Sequence, residues 1–255
     1  MKAREKEFSK LIEVMSRLRG DGGCPWDRKQ THRTLLPYIL EEAYEVIEAV
    51  KKGKDAELKE ELGDLLLQVV FHSEIARSRG RFDIYEVIEG LNHKLISRHP
   101  HVFGDKKGLK TGALVRDFWE AEKKKTKKRK SVLEGVPKAL PALLRSRRLQ
   151  SKARSTGFKF SGYGAVMKKY REELSELREA AEKGYRKGIY EELGDLLFVT
   201  VTLAGQLKIN PEEALQSAND KFTRRFRKIE KHIKHDMTEK EMLALWAAAK
   251  KSVKK

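Results

Sequence analysis

Glu41-Glu42-Ala43-Tyr44-Glu45, followed by Glu60-Glu61-Leu62-Gly63-Asp64-Leu65-Leu66, is the stretch that decides the fold. On an α-helix, residues three apart share a face, so Glu42 pairs with Glu45 and Glu61 with Asp64. The midpoint of positions 45 and 61 is 53, and so is the midpoint of 42 and 64. Position 53 is a glycine, in the turn Lys52-Gly53-Lys54-Asp55. A chain that folds back there as an antiparallel helix pair sets Glu45 opposite Glu61 and Glu42 opposite Asp64.

The same arithmetic holds a second time. Glu172-Glu173-x-x-Glu176 and Glu191-Glu192-Leu193-Gly194-Asp195-Leu196-Leu197 repeat the pattern 131 residues later, centred on Gly184. Downstream the offset becomes 127: Asn92-x-Lys94-x-x-x-Arg98 matches Asn219-x-Lys221-x-x-x-Arg225, and Trp119-x-x-x-Lys123 matches Trp246-x-x-x-Lys250. A duplication explains this, with the change of offset absorbed in a loop. Because polar residues recur along with apolar ones, shared packing alone is a poor explanation.

Helical spacing of apolar residues covers roughly 5–19, 35–51, 56–78, 84–98, 111–125, 138–154, 164–182, 188–207, 211–232 and 238–252. Glycines punctuate the gaps, and no strand alternation stands out. The expected architecture is all-α: tandem duplicated helical-bundle domains, residues 1–130 and 131–255. Six prolines in 255 residues leave room for long helices.

Each hairpin gathers four carboxylates, which repel one another unless protonated or bound to cations. The second helix of each pair runs on into apolar sequence: Leu65, Leu66, Leu67, Val69, Val70 and Phe71, then Leu196, Leu197, Phe198 and Val199. The carboxylates therefore sit at the edge of a buried surface, where repulsion is least screened. Hard oxygen donors select Mg²⁺ or Mn²⁺. Magnesium usually keeps water and takes substrate phosphates as its remaining ligands.

The composition sets limits. With 56 Lys and Arg against 38 Asp and Glu, the net charge is +18. That charge fits either a polyanionic partner or a solvated Lys/Glu surface of the kind found in heat-stable proteins. The densest basic run, Lys123–Lys130, reads as a solvated helix end or linker. No run of 18 apolar residues is present to span a membrane. The N-terminal segment lacks the apolar core of a signal peptide. One cysteine, Cys24, excludes an intrachain disulfide framework and suits a reducing cytoplasm.

Around the carboxylate pattern stand further motifs: Gly23-Cys24-Pro25-Trp26-Asp27 with Gln30-Thr31, Arg98-His99-Pro100-His101-Val102-Phe103, Leu140-Pro141-Ala142-Leu143, and Gly157-Phe158. Together with both carboxylate sets they resemble the two-domain MazG-type nucleoside triphosphate pyrophosphohydrolases, an all-α family, over nearly the whole chain. The resemblance implies hydrolysis of NTPs to NMP and pyrophosphate, dependence on Mg²⁺, and a dimer whose helices complete each other's bundles. It implies that Glu42, Glu45, Glu61 and Asp64 hold metal in the first copy, and Glu173, Glu176, Glu192 and Asp195 in the second. It also implies nucleotide contacts at Lys169, along Lys221–Arg225 and at Trp246.

The remaining candidates follow from position. Lys94 and Arg98, like Lys221 and Arg225, are one turn apart and can form a cationic edge for phosphates. Asn92 and Asn219 lie about 200° round the helix from those lysines, leaving a structural or base-edge role. Trp119 and Trp246 are candidates to stack on a base or ribose, with packing as the plainer role. Trp26 is a further candidate base contact. Glu41 and Glu172, each beside a ligand but about 100° round the helix, are candidates to orient or deprotonate the attacking water. His99 and His101, flanking Pro100 in an expected loop, read as structural, and Cys24 has no nucleophile arrangement around it. A di-iron bundle would need Glu-x-x-His pairs, and here the fourth positions are Glu45, Asp64, Glu176 and Asp195. A basic nucleic-acid-binding protein, the other rival, leaves the paired carboxylates unexplained.

Overall fold

The structure is a computed structural model that describes residues 2–105, 108, 111–112, 114–115, 118–119 and 130–252. The chain divides into two compact units, Met1–Val115 and Arg116–Lys255. In the first are α1 (Lys2–Arg19), α2 (Pro25–Lys29), α3 (Leu36–Lys52), α4 (Asp55–Arg77), α5 (Ile84–Arg98) and α6 (Pro100–Phe103). In the second are α7 (Ala142–Arg154), α8 (Tyr163–Glu182), α9 (Arg186–Gln206), α10 (Pro211–Ile229) and α11 (Glu239–Ser252). Among the described residues there is no strand. No helix described is long and apolar enough to cross a membrane.

In the first unit the dominant pairing is α3 on α4, with α1 and α5 packed on α4. Met15, Leu35, Val70, Phe71, Ile75 and Ile84 form its core, with Phe8, Leu11 and Ile12 packed against it. Burial of each large side chain in that cluster contributes roughly 1.5–3 kcal/mol. In the second unit α8 pairs with α9, α7 packs on α9 and α10, and α11 packs on α10. Val166, Val199, Val201 and Ile229 are buried there.

Both hairpins turn where the spacing of the carboxylates places them. Gly53 has φ 68° and Gly184 has φ 64°, in the left-handed region open to glycine. The two turns close alike. Gly53 donates to Val50 O at 3.2 Å and Lys54 to Ala49 O at 3.5 Å. Gly184 donates to Ala181 O at 3.1 Å and Tyr185 to Ala180 O at 3.0 Å. Each pair of bonds satisfies carbonyls that the helix end leaves open.

The other boundaries have local causes. Asp83 caps α5 reciprocally with Glu86. Asn210 caps α10, with Pro211 at the first helical position. The helix expected over 138–154 begins only at Ala142, because Pro141 is extended at ψ 139°. The pattern over 211–232 divides into α10 and a 3₁₀ turn, Glu230–His232. His99 and His101 are not in an open loop: Pro100 starts the short helix Pro100–Phe103, as proline does at a first helical position. Most of the helix expected over 111–125, Lys123 and nearly all of the basic run lie outside the described residues.

Candidate active site

The α3–α4 hairpin brings Glu42, Glu45 and Glu61 together, each offering a carboxylate oxygen within 4.8 Å of the others. The α8–α9 hairpin does the same with Glu173, Glu176 and Glu192. The expected groups of four are thus groups of three at this distance. Asp64 follows Glu61 on α4 and Asp195 follows Glu192 on α9, each one turn on and outside the group of three. Asp64 is still close enough to act electrostatically on Glu42.

The first group is strained by its own charge. Glu42 has its pKa raised, by burial first, then by the charges of Asp64 and Glu45 and a hydrogen bond with Glu45. Glu61 is raised by loss of solvation and by Glu45, Glu60 and Asp64. In the second group Glu176 is raised by loss of solvation, Glu173 and Glu192. Glu173 is buried and Glu192 half-buried; Glu172 beside Glu173, and Glu41 beside Glu42 in the first unit, are exposed.

Lys169 belongs to the second group. Its Nζ lies 2.6 Å from Glu172 Oε1 and 2.8 Å from Glu173 Oε1. Those hydrogen bonds hold the ammonium well above the usual lysine pKa range. This pairing escaped the sequence reading, although the i, i+3 and i, i+4 spacing of 169, 172 and 173 was available as its signal.

The cationic candidates stand on other helices. Asn92 and Lys94 are exposed on α5, which packs on α4, and Arg98 ends that helix half-buried. Asn219 and Lys221 are exposed on α10. Arg225 is half-buried there, with its Nε enclosed and unbonded. Among the described residues, no ion pair joins Lys94, Lys221 or Arg225 to either carboxylate group. Trp246 of α11 is half-buried, its ring 5.3 Å from that of Phe222 on α10. Phe222 in turn stacks on Phe226 at 5.7 Å. Trp119 is half-buried. Trp26 packs edge-on to Tyr38 at 5.9 Å and to Phe71 at 6.3 Å, which gives it a packing role in the first unit.

Two features had no sequence signal. His32 and His72, forty positions apart, stack with ring centroids 5.0 Å apart and Nδ1 atoms at 2.8 Å. Burial, then the charge of His32, lowers the pKa of His72. In the second unit a cleft of about 440 Å³ is lined by Phe158, Phe160, Phe198, Leu149, Arg154 and Lys159 among others, with none of the carboxylates in its wall.

Two equivalent hairpins with equivalent acidic groups are the geometry that comparison with known proteins has to match. The family model described as the MazG nucleotide pyrophosphohydrolase domain matches residues 30–103 and again 162–229. The chain belongs to the MazG family. Both matches contain a complete carboxylate set, so the duplication read from the spacing is a duplication of the MazG domain. A Thermotoga maritima protein named nucleoside triphosphate pyrophosphohydrolase/pyrophosphatase MazG is 47% identical over 231 residues, covering 90% of this chain and 88% of that protein. An Escherichia coli protein named nucleoside triphosphate pyrophosphohydrolase is 41% identical over 231 residues, 88% of each chain. Bacillus subtilis YabN, described as uncharacterized, is 41% identical over 255 residues, 96% of this chain and 52% of its own length.

Proposed function

We propose that this MazG-family chain hydrolyses nucleoside triphosphates, ATP among them, to the monophosphate and pyrophosphate, keeping nucleotide pools in order. The observation that carries the reading is the acidic group built twice by the same hairpin, Glu42, Glu45 and Glu61, then Glu173, Glu176 and Glu192. The functional division follows the duplication, residues 1–130 and 131–255. A reducing cytoplasm suits both the substrate and the free Cys24.

The donor set fits a hard divalent cation. Three carboxylate oxygens within 4.8 Å are what such an ion needs from a protein that leaves its other positions to water and phosphate. Burial first, and then neighbouring carboxylates, raise the pKa values of Glu42 and Glu61, in keeping with a site whose charge a cation would offset. The ion is Mg²⁺, with Mn²⁺ as substitute; Asp64 and Asp195 complete the sets when the side chains adjust. When bound it polarises the phosphates and lowers the pKa of coordinated water.

The chain's own residues do the rest. Exposed Glu41 and Glu172 orient the attacking water and take its proton. Lys94 and Arg98, or Lys221 and Arg225, offset the charge that grows on departing pyrophosphate. Trp246 and Trp119 meet the base or ribose, and Asn92 and Asn219 lie at its edge. Lys169 meets a phosphate once released from its carboxylates. A homodimer is part of this reading. Leu40, Tyr44 and Ile47 on α3 and Leu62, Leu66 and Val69 on α4 form exposed apolar stripes at helical spacing, as Leu193 and Leu197 do on α9.

The experiment is a panel of four NTPs and four dNTPs with and without Mg²⁺, with pyrophosphate separated from orthophosphate. NMP and pyrophosphate formed only with the cation supports the reading; NDP and orthophosphate as first products rejects it.

A further inference from the structure

The two acidic groups are balanced differently. In the second unit the Lys169 ammonium touches both Glu172 and Glu173, and the Glu173 side chain is only 8% exposed. In the first unit the equivalent position, 131 residues earlier, is Tyr38, whose ring packs on Trp26. Among the described residues no lysine or arginine forms an ion pair with Glu42, Glu45 or Glu61. Among the described residues, one site therefore carries a tethered cation and the other carries none.

A lysine ammonium is a compact charge on a flexible stem, and it seeks the same carboxylate oxygens as a divalent ion. Both cannot lie against the Glu173 carboxylate at contact distance without strong mutual repulsion. Displacing the lysine costs the second site two charge-assisted hydrogen bonds that the first never has to break. The partial burial of Glu173 makes that cost greater than at an open surface.

We propose that Lys169 is a built-in counter-ion that competes with the divalent cation for Glu173, so that free metal binds the second unit more weakly than the first. This rests on the metal-binding reading of both groups. It makes Lys169 a positioning residue that sets when the second site is loaded, through a side chain the first copy lacks. The substitution that distinguishes the copies, Lys for Tyr, falls one turn before the ligands, where it reaches them along the helix face.

The test is Mn²⁺ titration of the full-length protein without nucleotide, with free Mn²⁺ read by electron paramagnetic resonance. Two classes of site are expected per chain, and Glu61→Gln should remove the tighter. Lys169→Met should tighten the weaker class about tenfold, the size of effect one adjacent charge exerts, and leave the tighter class unchanged. Lys169→Arg should keep the weaker class weak. Equal affinities in the unmodified protein, or no tightening in Lys169→Met, overturns the proposal while leaving the metal reading standing. No Mn²⁺ binding at either group overturns both.

Discussion

Gly53 and Gly184 hold the same backbone position in two copies of one hairpin, at φ 68° and φ 64°. A Cβ added at either meets nothing within 4 Å, so the demand on these positions is conformational and not one of space. Gly53→Ala or Gly184→Ala should therefore cost roughly 1–2 kcal/mol, the penalty of a left-handed residue with a side chain. Asparagine, which tolerates that region, should cost less. Denaturant unfolding measures both; equal stability of Gly53→Ala and the unmodified protein would show that the turn is not held as described.

Neutralising one carboxylate should stabilise the metal-free protein. Glu42 titrates above its ordinary value in the folded chain, so its charged form is penalised by folding. That penalty is absent below the ordinary carboxylate pKa, grows as pH rises through the folded value, and persists above it. Glu42→Gln should thus melt higher than the unmodified protein at pH 7 without metal, and the difference should vanish in acid. Saturating Mg²⁺ should reverse the order, since the variant loses a ligand. Melting curves at pH 4 and pH 7, with and without Mg²⁺, check the signs.

Turnover at the first site should depend on its glutamates. In a full-length protein whose second set is neutralised, Glu45→Gln or Glu61→Gln should lower metal-dependent hydrolysis by about 100-fold or more, beyond the loss typical of residues that only support a ligand. The helices should remain folded by circular dichroism. Unchanged turnover would remove these residues from the site.

The copies should differ toward nucleotide as well. Lys168, Lys169 and Arg171 precede the second acidic set where Pro37, Tyr38 and Leu40 precede the first. With Mg²⁺ present, calorimetry on proteins with one set neutralised should find tighter binding and a steeper salt dependence at the second site. Lys169→Ala should weaken it more than Tyr38→Ala weakens the first. Equal affinities and salt slopes would contradict this.

The exposed apolar stripes predict self-association. Leu66→Glu, placed where Leu66 is 39% exposed beside Val69, should shift the mass seen by light scattering from dimer toward monomer without lowering helicity. A monomer already present in the unmodified protein at micromolar concentration would argue against the dimer.

What was legible in the sequence was what helix geometry alone dictates. The centring of four carboxylates on Gly53, and again on Gly184, fixes an antiparallel hairpin before any packing is considered. The apolar run at 65–71 was only half right as a buried surface. Val70 and Phe71 are buried, but Leu66 and Val69 point outward, because a helix turns such a run through every direction. The arithmetic places residues on a shared face and says nothing of side-chain reach: the three glutamates of each set meet within 4.8 Å, while Asp64 is felt by Glu42 as a neighbouring charge. The His32–His72 contact joins the segment before α3 to α4, and no local spacing announces a meeting forty residues apart. The residues around Pro100 read as a loop, yet the fixed φ of proline suits a first helical position, and Pro100 starts the short helix Pro100–Phe103.

Hydrolysis of ATP in ¹⁸O-labelled water, with Mg²⁺ and mass analysis of the products, bears on the central claim most directly. Attack at the α-phosphorus places the label in AMP and leaves the released pyrophosphate unlabelled, and the reaction stops when Mg²⁺ is chelated. Label in the pyrophosphate, or ADP with labelled orthophosphate as the first products, would contradict the account.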